Sequence, residues 1–341
     1  MQVFESLDIP MKFTNPVLTI GNYDGVHIGH RTIIEIVKGK AREIGGTPML
    51  MTFHPHPLHV LRPDKELPSI TPVEEKKRLI EEAGVEVLII VPFNQEFSQI
   101  TPEAYVKDIL VGKLGIRGLV VGYDFRFGKG GRGDIEGMKK YAEAYGFFLE
   151  VVNAVTIGGE KVGSNKIRKL LQSGEVDKAN LLLGRPYMIS GAVVHGEGRG
   201  RAFGFPTINM KTDFDLVPPN GVYISEVDFQ GNLPSEHGER EGEAPAALPQ
   251  EGATRAPLTA IGGERSQSVT NIGYNPTFGG QERSIETFIL DYGRDLYGEN
   301  VRLFFHVKLR EEIRFENVEE LRKQIERDVS AARDYFAKHV V

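Results

Sequence analysis

Gly21-Asn22-Tyr23-Asp24-Gly25-Val26-His27-Ile28-Gly29-His30 joins an apolar run, Val17–Ile20, to a helical pattern over about Arg31–Ile44. A strand that turns through glycine into a helix is the first half of a βαβ unit. The alternation continues outward. Apolar runs recur at Pro48–Phe53, Val85–Val91, Gly118–Gly122 and Phe147–Val152. Helical periodicity fills the spaces at about Pro72–Ala83, Pro102–Leu114 and Ile135–Tyr145. The runs are apolar on both sides, as strands buried on two faces are, so this half predicts a parallel sheet covered by helices. Ligands of such sheets bind beyond the carboxyl ends of the strands. Gly21–His30, Phe53–His59 and Gly122–Gly133 all fall there.

The opening stretch also carries chemistry. His27 and His30 flank Gly29 at a helix mouth. Free N–H groups and the positive end of the helix dipole favour an anion there. Two imidazoles can donate to phosphate oxygens, and a glycine between them lets the backbone come close. Two other features are weaker. Gly128-Lys129-Gly130-Gly131-Arg132-Gly133 fits a dinucleotide fingerprint but starts several residues after its strand. His54, His56 and His59 are spaced by prolines that hold the segment extended, with no fourth metal ligand of the usual kind nearby.

A helical stretch, Asn165–Leu183, is interrupted at Ser173–Gly174. The pattern then changes to short alternating runs at Ser190–His195, Val222–Phe229, Ile285–Tyr292 and Val301–Val307, closed by an amphipathic helix over about Val318–His339. This predicts a small antiparallel barrel with a C-terminal helix, and a division into residues 1–184 and 185–341. Residues 230–266 are rich in Gly, Pro, Glu and Ala and poor in large apolar side chains. Such a segment cannot bury enough surface to offset its ordering entropy, so it reads as a flexible insertion in a hairpin.

Composition narrows the class. A chain of 341 residues with 40% hydrophobic and 26% charged residues is an ordinary globular protein of about two domains. It has no cysteine, hence no disulfide, thiolate metal site or cysteine nucleophile. A net charge of −6 argues against nucleic acid as a partner. No run reaches the roughly 18 apolar residues of a membrane helix, and Met1–Phe13 does not read as a signal peptide. The expectation is a cytoplasmic protein with no membrane partner, a monomer or a weak homo-oligomer.

The motifs together resemble the prokaryotic bifunctional riboflavin kinase/FAD synthetase family. The resemblance rests on the Gly21–His30 segment, on Thr52-Phe53-His54-Pro55-His56-Pro57, on Val121-Gly122-Tyr123-Asp124-Phe125-Arg126-Phe127-Gly128 and on Gly163-Ser164-Asn165-Lys166-Ile167-Arg168. In the second half it rests on Gly196–Asn209, on Asn271-Ile272-Gly273-Tyr274-Asn275-Pro276-Thr277-Phe278 and on Ser284–Asp291. It spans nearly the whole chain except the insertion. It implies a Rossmann-like nucleotidylyltransferase domain followed by a riboflavin kinase-like barrel. Riboflavin would be phosphorylated to FMN, and FMN adenylylated to FAD, with ATP as co-substrate and Mg²⁺ as the cation (Mn²⁺ or Zn²⁺ as alternatives).

In the first half the resemblance gives His27, His30 and Arg168 to catalysis. Gly21, Asn22, Asp24, Gly29, Asp124, Ser164 and Lys166 go to ATP and phosphate, and His56 and Pro57 to the flavin. In the second half Gly198, Arg199, Gly200 and Arg201 go to ATP phosphates, with glycine N–H groups and added positive charge as the physical basis. Thr207 and Asn209 would bind Mg²⁺ and ATP, and Glu286 would be the base for the riboflavin 5′-hydroxyl, a poor nucleophile without one. Asn271 and Thr277 would face the flavin, although their segment reads equally as a structural turn. The chain departs from the family pattern at Gly163, Asn165, Lys166, Ile208 and Phe288. Lys166 keeps the charge of an arginine without its bidentate fork. Two other readings remain: one active half, most readily the kinase, or a non-catalytic flavin-binding regulatory module.

Overall fold

A computed structural model describes residues 1–196, 204–228, 265–274, 283–292 and 296–339. It divides into two compact units, Met1–Arg168 and Lys169–Val341.

The first unit is built on β1 (Gln2–Phe4), β2 (Val17–Ile20), β3 (Pro48–His54), β4 (Val87–Pro92), β5 (Gly118–Gly122) and β6 (Phe148–Val152). Their order is β1-β4-β3-β2-β5-β6 and every pairing is parallel. Helices cover both faces. Leu18, Met49, Met51, Ile89, Leu119 and Val121 pack on one side with Val106, Ile109 and Leu110. Leu50, Leu88 and Ile90 pack on the other with Ile34, Leu79 and Ile80. Both-sided burial explains why the strands read as unbroken apolar runs. From β2 the chain runs to β3 and β4 on one side, and β5 and β6 lie on the other. The strand order therefore reverses between β2 and β5, and the crevice above such a reversal is where ligands settle.

The helix read over Pro102–Leu114 differs from expectation. Only Pro102–Ala104 is an α-turn, capped by Thr101 Oγ1 accepting from the Ala104 N–H at 3.2 Å. Tyr105–Lys113 continues as a π-helix. The wider winding still brings Tyr105, Val106, Ile109 and Leu110 inward, so the apolar spacing does not separate it from an α-helix. The short strand β1 and a hairpin of β7 (Thr156–Ile157) and β8 (Glu160–Lys161) are additions to the sequence reading.

The second unit opens with the helix Val176–Leu183 and forms a closed antiparallel barrel. Its strands are β9 (Tyr187–Val194), β10 (Thr207–Lys211), β11 (Gly221–Asp228), β12 (Ser266–Tyr274), β13 (Arg283–Ile289) and β14 (Asn300–Arg310), in the order β10-β13-β12-β11-β14-β9. Inside the barrel Ser225, Ser268, Thr270 and Thr287 join hydroxyls at 2.8–2.9 Å. The outer face carries Val222, Ile224, Val269 and Phe288, which pack against Ala332 and Phe336 of the C-terminal helix Val318–His339. Arg310 clamps that helix through two-pronged bonds to the buried Asp328 carboxylate at 2.7–3.1 Å. Strand β12 escaped the sequence reading because its inward residues are hydroxylic. Strands β11 and β12 pair as far as Val227 with Ser266, so the insertion read over residues 230–266 is shorter at its end, Ser266 already being part of the ladder; residues 229–264 lie outside the described residues.

Candidate active sites

The turn after β2 is a strained piece of backbone. Tyr23 and Val26 sit at φ of +50° and +38°, the left-handed region that non-glycine residues avoid, and Gly25 at +87°. Burial holds them there: Tyr23 is 1% exposed, Val26 is fully buried, and the Tyr23 and Thr19 hydroxyls meet at 2.6 Å. The turn delivers His27 to the N-cap of the helix Ile28–Glu43, where its Nδ1 accepts the His30 N–H at 3.2 Å. An accepting Nδ1 leaves the proton of the neutral ring on Nε2. The His27 and His30 rings stack at 3.6 Å between centroids. A Cβ on residue 29 would lie 3.2 Å from His27 Cε1, so Gly29 is what lets the first imidazole fold back over the helix end.

These residues line a cavity of about 660 Å³ at the carboxyl ends of β2, β3 and β5. Gly21, Asn22, Asp24, Gly29, His56, Pro57, Asp124, Ser164, Lys166 and Arg168 line it too, so the structure gathers all the first-half residues named from sequence. Part of its lining is aromatic. Phe53, Phe93, Phe97, Tyr105, Phe125 and Phe127 form a chain of rings with successive centroids 5.6–6.2 Å apart. Sequence reading missed this wall, because its rings come from five segments with no common spacing.

Several lining residues are committed to the wall itself. Asp24, 4% exposed, accepts from the Ile70 N–H at 2.9 Å, the Thr71 N–H at 3.1 Å and Arg168 Nη2 at 2.7 Å. Arg168, 5% exposed, also donates to the Pro68 carbonyl and to Asn165 Oδ1, each at 2.8 Å. The Ser164 hydroxyl donates to the Asp24 carbonyl at 2.9 Å. Lys166 pairs with Glu160 of β8. Lys76, unremarkable in its helical sequence, donates to the Asn22 carbonyl at 2.9 Å. Burial lowers the Lys76 ammonium from its usual value, and Asp24 opposes the fall. His56 caps the turn Pro57–Leu61, its Nδ1 accepting the Leu58 N–H at 3.1 Å. Burial, with Lys76, His59 and Arg168 acting in the same sense, pushes its imidazole down to about 4, so it is neutral near pH 7. His59 bonds the Leu67 carbonyl at 2.8 Å, and no metal-holding group of three such side chains occurs among the described residues.

In the barrel, pairing register assembles the second site. Asn209 of β10 lies directly opposite Glu286 of β13, and Glu286 lies opposite Asn271 of β12. Thr207 lies opposite Phe288 in the next outward row. Thr270 and Thr287 point inward to meet each other, so Asn271 and Glu286 face outward with Asn209. The Asn209 amide fills the space a Cβ on Gly196 would take. Gly198, Arg199, Gly200, Arg201 and Thr277 lie outside the described residues.

Comparison with known proteins matches each half of the chain to a family model. Residues 9–166 match the family model described as FAD synthetase, and residues 183–336 match that of riboflavin kinase. The chain is 36% identical over 326 residues to the bifunctional riboflavin kinase/FMN adenylyltransferase of Bacillus subtilis (strain 168), covering 94% of this chain and 92% of that one. It is 36% identical over 320 residues to the enzyme of the same name from Escherichia coli (strain K12), again covering 94% and 92%. A crystal structure described as a macrolide-efflux protein from Streptococcus pneumoniae superposes with a TM-score of 0.80 at 26% identity, covering 97% of this chain and 98% of the other. Among the described residues no helix is long and apolar enough to cross a membrane.

Fold and matches define a protein that joins an FAD synthetase domain to a riboflavin kinase domain. More particularly, the chain belongs to the family of bifunctional riboflavin kinase/FMN adenylyltransferases.

Proposed function

We propose that the chain makes FMN from riboflavin and ATP in its barrel and FAD from FMN and a second ATP in its α/β unit, the catalytic units meeting at residues 184/185. The observation that carries this is the pairing of two unlike sites, each beside the motif for its own half reaction: stacked imidazoles at a helix mouth sharing a cavity with an aromatic wall, and an Asn–Glu–Asn row on a barrel. In the barrel Glu286 takes the proton of the riboflavin 5′-hydroxyl. The freed oxygen bonds to the γ-phosphorus of ATP, and ADP leaves with the electrons of the broken P–O bond. Hydroxyl, carboxamide and carboxylate oxygens in adjacent positions suit a hard cation. Thr207 and Asn209 would therefore hold Mg²⁺, which supplies charge neutralisation on the phosphates, with Mn²⁺ or Zn²⁺ as alternatives.

The second reaction needs no protein nucleophile. A phosphate oxygen of FMN bonds to the α-phosphorus of ATP as the bond to the bridging oxygen breaks and pyrophosphate leaves. The protein's part is alignment and charge stabilisation. His27 Nε2–H and His30 donate to the phosphates; Gly21, Asn22, Gly29, Asp124, Ser164 and Lys166 shape their cradle. Arg168 and Asp24 act on them as positioning residues, through the wall they brace. His56 and Pro57 border the flavin, and Asn271 and Thr277 border it in the barrel. The absence of cysteine and a charge of −6 support a cytoplasmic setting with no nucleic acid or membrane partner, as a monomer or weak homo-oligomer.

Intact protein given riboflavin, ATP and Mg²⁺ should release FMN and FAD. Glu286→Gln should lower FMN formation by about 10²–10⁴-fold yet still convert supplied FMN to FAD; His30→Ala should do the reverse. Accumulation of FMN alone by the unaltered protein would reject the two-reaction reading.

A further inference from the structure

The helix Val73–Glu82 carries three cations, Lys76, Lys77 and Arg78. Two of them meet carboxylates: Lys77 pairs with Glu5 and Glu74, and Arg78 with Glu75 and Glu82. Lys76 has no ion pair among the described residues and gives its ammonium to the Asn22 carbonyl at 2.9 Å. Burial lowers that ammonium from its usual value, so the fold holds the charge at a cost. Asp24 opposes the fall but is already bonded to Arg168. Lys76 does not itself line the α/β cavity, so whatever it does there passes through the peptide it grips.

That peptide is under strain. Thr52 Oγ1 donates to the same Asn22 carbonyl at 3.0 Å. The next residue, Tyr23, sits at φ of +50°, and turning the Asn22–Tyr23 peptide over would carry that angle into the extended region, where a tyrosine rests without strain. Such a conformation persists only where its surroundings over-determine it, and the two donors on the Asn22 carbonyl resist the turn. In a trans peptide the carbonyl and the following N–H point in opposite directions, so the Tyr23 N–H faces away from Lys76. It has no hydrogen-bond partner among the described residues, although Tyr23 is buried and lines the cavity with Asn22. Buried N–H groups are rarely left orphaned. This one belongs to a residue whose ring lies 4.7 Å from that of His30, beside the imidazole stack.

We propose that Lys76 is a positioning residue for FAD synthesis: by holding the Asn22 carbonyl it presents the Tyr23 N–H to a phosphate oxygen of ATP. This deepens the adenylyltransferase reading above and rests on it.

The test is Lys76→Met in the intact protein, which keeps the apolar stem and removes the donor. A peptide released to turn is binding-competent for a smaller fraction of the time, and that fraction divides the apparent affinity while leaving the bound complex as it was. KM for ATP in FAD formation should rise by about 10- to 150-fold, the range for a hydrogen bond from a charged donor. kcat at saturating ATP, KM for FMN and FMN formation from riboflavin should stay. The melting temperature should not fall, because the variant removes a costly charge and leaves Thr52 on the carbonyl. Thr52→Val, which removes the other donor, should raise KM for ATP by about 2- to 12-fold, the neutral range. A rise confined to FMN would overturn the proposal, as would a lowered melting temperature with KM for ATP unmoved, which assigns the ammonium to the fold. An unmoved KM for ATP in Thr52→Val would also overturn it, assigning Lys76 to long-range charge. Failure of the unaltered protein to form FAD would remove the underlying reading and the proposal with it. FAD formation with KM for ATP unmoved in Lys76→Met would remove the proposal alone.

Discussion

Replacing Arg168 by methionine tests how the α/β cavity is held open. The guanidinium is 5% exposed and joins three segments: it donates to Asp24 in the turn after β2, to Pro68 in the following loop and to Asn165 at the start of the helix Ser164–Gln172. Methionine fills much of the volume but leaves the Asp24 carboxylate buried without its cation. It also orphans the Pro68 carbonyl. Removing one partner of a buried pair costs about 3–5 kcal/mol. At about 2–4 °C per kcal/mol for a unit of this size, melting of the α/β unit should fall by about 6–20 °C. FAD formation should fail well below the temperature at which FMN formation fails, because Asp24, Pro68 and Asn165 all belong to the α/β unit. A double-mutant cycle isolates the pair. Asp24→Asn alone should cost a similar amount, while the double variant, which buries no lone charge, should cost less than the sum by about 1–3 kcal/mol. Strictly additive losses, or a loss under about 1 kcal/mol for Arg168→Met, would refute the bracing role and return Arg168 to direct phosphate contact.

His56 gives a pH signature. Its folded-state pKa of about 4 lies below the ordinary 6.5, so as pH falls the unfolded chain takes up the proton first. Its contribution to stability is whole above about pH 6.5 and is lost on descent to about pH 4. Urea unfolding across that window should show a slope of up to one proton that His56→Gln flattens; identical slopes in the two proteins would contradict it. In the barrel, Asp328→Ala removes the acceptor of three Arg310 bonds and one from Gln324. Loss of this part-buried pair should destabilise the barrel unit by about 3–5 kcal/mol. Melting should reveal this as an early transition that takes FMN formation with it, while supplied FMN is still adenylylated. An unshifted transition would show that apolar packing alone docks the helix.

Much of this was legible in one dimension because period and chemistry coincide there. Strands β2 to β5 are largely apolar on both faces, and the stretch Gly21–His30 keeps its three glycines, its acid and both imidazoles within ten residues. Strand β12 was not legible, since its inward serine and threonine satisfy one another and break the apolar alternation. The π-helix at Tyr105 was not legible either, because its buried positions repeat at a spacing an α-helix shares. Lys76 sits in an ordinary charged helix, and only the path of the neighbouring turn puts the Asn22 carbonyl within its reach.

The residue order alone established two units of different period, a histidine pair at a helix mouth and a carboxylate on an alternating strand. These are local facts, carried by propensity and spacing. The three-dimensional arrangement decided the rest. The reversal of strand order at β2 and β5 brings distant loops to one cavity, and antiparallel register sets Glu286 between Asn209 and Asn271. Burial ties Arg168 to Asp24 across 144 residues. Partnership across such separations depends on which surfaces pack and which polar groups lose water, and no spacing in the chain records either.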